Sequence, residues 1–261
     1  MPRKRTRGPK IYVNTDLEGI SGVWTFAQTR DRSSPRYVQA CESMMGDIAA
    51  LVRGLRDGGA SDILVLDSHG GGDNFIAHLM EPGARYITGS PRPGFAGMDK
   101  TYGGVVLLGQ HAMKGTRDGV LNHTQSSAAE TRYWYNGRES GEIAQQALYA
   151  GGIGVPVIMV TGDRAACREA RRFLGREIVT VAVKRGLSRE AAELLPLEEA
   201  RKLIYEGAKK AVAAVPACKP YRIRMPIKCR REFIRRSETP SETRVEVREA
   251  TIRDLSRICS F

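Results

Sequence analysis

Ile11-Tyr12-Val13-Asn14-Thr15-Asp16-Leu17-Glu18-Gly19 is the stretch from which the fold can be read. The apolar run Ile11-Tyr12-Val13 reads as a buried strand and leads directly into two carboxylates, Asp16 and Glu18. On an extended backbone, residues i and i+2 point to the same side. Two like charges side by side at a strand end are costly unless something positive neutralises them. The pattern of an apolar strand ending in polar residues recurs. Ile63-Leu64-Val65-Leu66 ends at Asp67-Ser68-His69-Gly70-Gly71-Gly72, and Val105-Val106-Leu107-Leu108 runs into Gly109-Gln110-His111. Val157-Ile158-Met159-Val160 ends at Gly162-Asp163.

Helical spacing fills the intervals. Val38, Cys41, Met44, Met45, Ile48, Leu51, Val52 and Leu55 predict a helix over 36–57 that ends at Gly58-Gly59. A second helix is expected from Glu142 to Tyr149, closed by Gly151-Gly152, and a third from Cys167 to Leu174. Trp134-Tyr135 before Asn136-Gly137 is a hairpin signal. Short apolar strands alternating with helices predict an α/β fold, with a mostly parallel sheet and helices on both faces. The last quarter differs. After a helix over Leu197–Val215, three prolines (Pro216, Pro220, Pro226) punctuate an Arg-rich segment, and Arg244-Val245-Glu246-Val247 alternates like a half-exposed strand. The expected organisation is a basic N-terminal extension (1–10), an α/β metal-binding catalytic domain (11–186) and a smaller C-terminal α+β lobe (187–261).

The net charge of +12 is unevenly placed. Residues 1–10 carry five Lys/Arg and no acid, and residues 219–261 carry twelve basic and six acidic residues. The stretch between them, 11–218, holds 24 basic and 23 acidic residues and is nearly neutral. No recognition helix, RNA-binding aromatic pair or zinc finger accompanies the basic ends, so nucleic-acid binding is not expected. The chain has no apolar run of transmembrane length and no apolar core after its basic start, so a cytoplasmic protein is expected. Five widely spaced cysteines without a C-x-x-C read as idle thiols.

Asp16, Glu18, His69 and His111 each lie just past the C-terminal end of an expected parallel strand, where open α/β sheets bind ligands. Glu142, in the first turn of its helix, can reach the same edge. A carboxylate-rich set with two histidines suits a pair of divalent metal ions. Taken singly, each residue has a plainer reading, because a carboxylate after a strand usually caps or turns the chain. Asp67 and Asp163 can orient a ligating histidine or simply make turns. His78 sits at helical spacing and reads as structural. Gly70–Gly72 lack the Lys-Ser/Thr of a phosphate loop.

At these residues the chain resembles the DppA-like D-aminopeptidase family, the M55 class of metallopeptidases. The matching stretches are Asp16-Leu17-Glu18-Gly19-Ile20-Ser21-Gly22, Asp67-Ser68-His69, Gly109-Gln110-His111-Ala112, Asn122-His123-Thr124, Gly141-Glu142 and Gly154-Val155-Pro156-Val157. The resemblance implies two zinc ions. Asp16 would bridge them, Glu18 and His69 would complete one site, and His111 and Glu142 the other. His123 would be the catalytic base or nucleophile and not a ligand. The implied activity is release of N-terminal D-amino acids from short peptides, in a ring-based homodecamer around a central channel. Asn14 and Gln110 depart from the family pattern, which has Ser and commonly Tyr there. Two other readings compete: a different di-metal amidase or phosphoesterase on the same scaffold, and an anion-binding protein driven by the basic ends.

Overall fold

The structure, a computed structural model, describes residues 8–235 and 244–261, so most of the expected basic extension lies outside the described residues. Lys10, counted with that extension by charge, opens the first strand, β1 (Lys10–Thr15). The other strands of the main sheet are β2 (Asp62–Asp67), β3 (Arg85–Ile87), β4 (Tyr102–Gln110), β7 (Val157–Asp163), β8 (Val179–Ser188) and β9 (Ala191–Leu194), in the order β3-β2-β1-β4-β7-β8-β9. All neighbours are parallel except β8 and β9.

From β1 the chain moves outward to β2 and β3, then returns to the other side of β1 as β4. β1 and β4 are therefore where the winding reverses, and a crevice opens beyond their C-terminal ends. Right-handed crossovers running in opposite directions place their helices on opposite faces. Hence α1 (Pro35–Asp57) packs with α4 (Leu197–Ala214), and α2 (Glu142–Ile153) packs with α3 (Arg164–Leu174). Both faces are covered, so β1, β4 and β7 are buried almost throughout.

Local chemistry explains the helix ends. Ser34 Oγ accepts the Arg36 N–H at 3.2 Å and Pro35 occupies the first turn of α1. Val38, expected on its apolar face, is 49% exposed, whereas Tyr37 and Ala40 turn inward. α2 does not close at Gly151-Gly152. It continues to Ile153 and ends at Gly154, which takes the left-handed conformation with φ 94°. Gly151 and Gly152 serve close packing instead: a β-carbon on them would lie 2.0 Å from the Tyr221 carbonyl oxygen and 2.4 Å from the Leu255 side chain.

The C-terminal segment is divided differently from the sequence expectation. The 186/187 boundary falls inside β8, β9 extends the main sheet, and α4 covers it. The second sheet is antiparallel, with β11 (Arg244–Ile252) beside β10 (Ile227–Arg235), β10 beside β5 (Arg132–Tyr135) and β5 beside β6 (Arg138–Glu139). It joins β10 and β11 to the hairpin of β5 and β6 from mid-chain. That hairpin turns through Asn136 and Gly137, both at positive φ (51° and 81°), as a two-residue turn requires. Tyr133, Tyr135, Leu148, Ile227, Cys229, Ile252 and Ile258 form a small core of their own there. The five cysteines are free thiols, and no helix among the described residues is long and apolar enough to cross a membrane.

Gly109 locks the reversal point. Its φ is 76°, its N–H donates to Thr161 Oγ1 at 2.9 Å, and its carbonyl accepts the Gly19 N–H at 2.7 Å. A β-carbon here would lie 2.2 Å from the Asp16 carbonyl oxygen. Gly109→Ala should therefore push β1 and β4 apart as well as strain the backbone, costing about 2–4 kcal/mol. The urea midpoint measures this, and an unchanged midpoint would mean the two strands have slack.

Candidate metal centre

β1 stops at Thr15, so Asp16 and Glu18 do not continue an extended strand as the sequence suggested. The chain turns at once, with the Asp16 N–H donating to the Leu108 carbonyl at 2.8 Å. The turn still delivers both carboxylates to one side, and Leu17 between them is buried in the core. Two buried charges hold the turn. The Lys184 ammonium on β8 donates to the carbonyls of Glu18 (2.6 Å), Ile20 (2.9 Å) and Val23. Asp47 on α1 accepts the Ser21 N–H at 3.0 Å and its hydroxyl at 2.5 Å.

Three histidines face these carboxylates with the same design. His69 donates Nε2–H to the Thr29 carbonyl (2.8 Å), leaving Nδ1 3.0 Å from both Asp16 Oδ1 and Glu18 Oε2. His111 donates Nδ1–H to the Ala112 carbonyl (3.0 Å), leaving Nε2 3.4 Å from both Asp16 Oδ2 and Glu142 Oε1. His123 donates Nδ1–H to the Leu121 carbonyl (2.8 Å), leaving Nε2 3.8 Å from Glu142 Oε1. The His111 and His123 rings stack at 4.0 Å. Glu142, at the start of α2, has Oε1 fixed by the Gln125 N–H at 2.7 Å.

In each histidine a backbone carbonyl fixes the tautomer, so the other nitrogen presents a lone pair toward carboxylate oxygens. Lone pairs facing anions at these distances repel unless a proton or a cation lies between them. Glu18 Oε2 and His111 Nε2 are buried without a hydrogen-bond partner. Burial lowers the basicity of His69 and His111, but the surrounding carboxylates outweigh it and push both above the ordinary imidazole range. Burial and the Glu18 charge push Asp16 the other way from an ordinary surface carboxylate, upward. The ligand atoms form two trios, Asp16/Glu18/His69 and His111/His123/Glu142, each within 4.8 Å. Asp16 directs one oxygen to each histidine, Oδ1 to His69 and Oδ2 to His111. The chemistry of this donor set fits metal ions with mixed oxygen and nitrogen ligands.

Neighbouring residues hold the cluster in place. Asp67 accepts the Asn74 N–H and amide (both 2.7 Å), and Asn74 in turn donates to the His69 carbonyl at 2.7 Å. Asp163 caps α3 through the Ala166 N–H (2.7 Å) and accepts the Val120 N–H (2.6 Å), anchoring the loop that carries His123. Both aspartates thus make turns, and the turns position histidines. The Gly70 and Gly72 carbonyls accept from Arg32 at 3.2 and 2.9 Å, so that loop is a histidine carrier and not a phosphate cradle. His78 is exposed on a short 3-10 turn away from the cluster.

The cluster opens into a cavity of about 330 Å³ whose remaining wall includes Thr29, Arg30, Gln125, Ser126 and Ser127. Sequence reasoning missed these wall residues, because none lies at a strand end or in a periodic pattern. A larger groove of about 670 Å³ beside α2 contains none of the cluster residues.

The D-aminopeptidase (peptidase M55) family model matches residues 10–251. The chain belongs to the D-aminopeptidase family. A D-aminopeptidase of Bacillus subtilis (strain 168) is 32% identical over 216 residues, covering 81% of this chain and 76% of that protein. A solved structure, the Zn-dependent D-aminopeptidase DppA from Bacillus subtilis, described as a self-compartmentalizing protease, is 26% identical. It aligns with a TM-score of 0.85 over 95% of this chain and 93% of its own. In this D-aminopeptidase-family chain, the two departures noted at Asn14 and Gln110 are physically joined. Asn14 donates to Gln146 Oε1 (2.7 Å), and Gln146 donates to Gln110 Oε1 (2.9 Å).

One buried acid near the centre has a pH signature. Burial raises the Glu169 carboxyl from 4.5 to about 7, opposed by the Met113 N–H it accepts. Between those values the folded protein holds a proton that the unfolded chain releases. The stability this confers is complete below about pH 4.5 and is lost as pH rises through about 7. Glu169→Gln stays neutral throughout. Its stability relative to the wild type should therefore rise between pH 5 and pH 8, by up to about 3 kcal/mol. Urea denaturation at both pH values tests this, and a pH-independent difference would contradict it.

Proposed function

We propose that this chain is a di-zinc aminopeptidase that releases N-terminal D-amino acids from short peptides of the D-Ala-D-Ala type. The observation that carries the reading is Asp16, whose two oxygens face the two histidine-bearing halves of one buried cluster. Asp16 would bridge two zinc ions, with Glu18 and His69 on one and His111 and Glu142 on the other. The donor set supports a pair of ions, because the ligand atoms fall into two trios, Asp16/Glu18/His69 and His111/His123/Glu142, each pairing carboxylate oxygen with histidine nitrogen.

Zinc bound there supplies polarisation of the scissile carbonyl and a water acidic enough to react near neutral pH. His123 serves as the proton carrier and is not a ligand. Burial and the adjacent His111 hold its basicity below the ordinary imidazole range, so Nε2 is unprotonated at neutral pH. Nε2 accepts the proton of the attacking water and returns it to the leaving amine. Glu142 Oε1, 3.8 Å away, steadies the imidazolium formed between those steps. The substrate α-amino group would be held by one of the metal ions or by a neighbouring carboxylate, which would restrict cleavage to the N-terminal residue. Family membership supports the preference for D-residues, and the self-compartmentalizing character of the Bacillus subtilis protease supports a homo-oligomer, which we read as a cytoplasmic homodecamer.

The test is cleavage of D-Ala-D-Ala and L-Ala-L-Ala, with zinc counted per chain. Cleavage of the D-peptide alone, with two zinc ions, is expected. Two ions without D-peptide cleavage would leave a metal-dependent amidase or phosphoesterase, and a metal-free protein would end the reading.

A further inference from the structure

Arg30 stands on the wall of the metal cavity, apart from the cluster, and its guanidinium is already oriented. Its Cζ lies 3.5 Å over the Phe26 ring, and its Nε donates to Ser127 Oγ at 3.0 Å. A flat face on an aromatic ring and one committed nitrogen leave the outer edge of the fork free for a planar anion. Among the described residues no carboxylate forms an ion pair with it. Glu190, which acts on it through space, is bound to Thr25 Oγ1 (2.8 Å) and the Phe26 N–H (3.0 Å). The neighbouring Arg189, by contrast, is committed to the Asn122 carbonyl and to Glu130. Arg30 is exposed, so holding it as a free cation costs little, yet it is fixed in place.

Phe26 also sets the distance to the chemistry. Its ring centroid is 6.3 Å from that of His123, so Arg30 Cζ lies no further from the His123 ring than the two ring contacts laid end to end. An extended residue spans at most about 3.6 Å. That leaves room for one residue, at most two, beyond a scissile bond held at His123.

We infer that Arg30, with the Ser127 hydroxyl beside it, binds the C-terminal carboxylate of the substrate and so selects dipeptides and tripeptides with a free C-terminus. This inference rests on the aminopeptidase reading and names the far end of the same substrate. A bidentate guanidinium–carboxylate pair replaces water on both partners, and a roughly ten- to hundredfold preference for a charged partner is expected.

The experiment compares kcat/KM of the zinc-loaded enzyme on D-Ala-D-Ala, on its C-terminal amide, and on D-alanine p-nitroanilide, which has no carboxylate. The wild type should favour the free acid over the amide at least tenfold. In Arg30→Gln that ratio should collapse toward one, mainly through a higher KM for the acid, and Arg30→Lys should restore part of it. Equal use of acid and amide by the wild type, or an equal loss on both in Arg30→Gln, would overturn the inference while p-nitroanilide turnover kept the aminopeptidase reading. Failure to cleave any of the three would overturn that reading, and the carboxylate site with it.

Discussion

Asp16→Ala should remove both metal ions together and lower kcat/KM at least about a thousandfold. Among the described residues, Asp16 is the side chain with an oxygen toward each half of the cluster, 3.0 Å from His69 and 3.4 Å from His111. On the proposed bridging role, its loss would remove a ligand from both ions at once and subtract one of the cluster's three carboxylates. Glu18→Gln or His69→Ala should instead weaken one ion more than the other, since each belongs to one trio only. Metal content by atomic emission, read beside activity, separates these patterns. Loss of a single equivalent in Asp16→Ala would mean that Asp16 does not bridge. Folding should survive the change. The Asp16 N–H to Leu108 bond and the Lys184 grip on the following carbonyls are backbone contacts that do not need its side chain.

His123→Ala should cut kcat by about a hundred- to ten-thousandfold with both zinc ions retained. The geometry makes this a sharp test, because His123 Nε2 belongs to the same trio as His111 and Glu142. Zinc lost in proportion to activity would make His123 a ligand and leave the proton carrier unassigned. The retained-metal outcome has a companion in the pH profile. A base with basicity depressed by burial and by His111 stays neutral down to lower pH than an ordinary imidazole. The acid limb of the wild-type rate should therefore lie below the ordinary histidine value of 6.5 and vanish in the variant.

The centre of the main sheet was legible because β1, β2, β4 and β7 are built on short apolar runs and the helix between β1 and β2 has a spaced apolar face. The candidate ligands were legible for the same reason, since Asp16, His69 and His111 follow those runs directly. The helix end at Gly151-Gly152 was misread, because a glycine that permits close approach to Tyr221 looks, in sequence, like a glycine that stops a helix. The C-terminal boundary was misplaced because the pairing of β10 with β5, such as Cys229 opposite Tyr135, joins segments far apart in the chain. Local spacing carries no trace of it. Arg30 escaped notice because what matters about it is a ring beneath it and a hydroxyl beside it, both contributed by tertiary contacts.

By itself the sequence determined the α/β class, the ends of the central strands and the residue types able to hold metal, because these depend on composition and short-range periodicity. Only the tertiary structure decided the strand order that makes β1 and β4 adjacent, and with it the crevice where Asp16 meets His69 and His111. It also decided which nitrogen of each histidine faces inward, and that Lys184 and Asp47 clamp the Asp16–Val23 turn. These follow from contacts between residues distant in the chain, whose energies depend on distance and orientation rather than on neighbourhood in sequence.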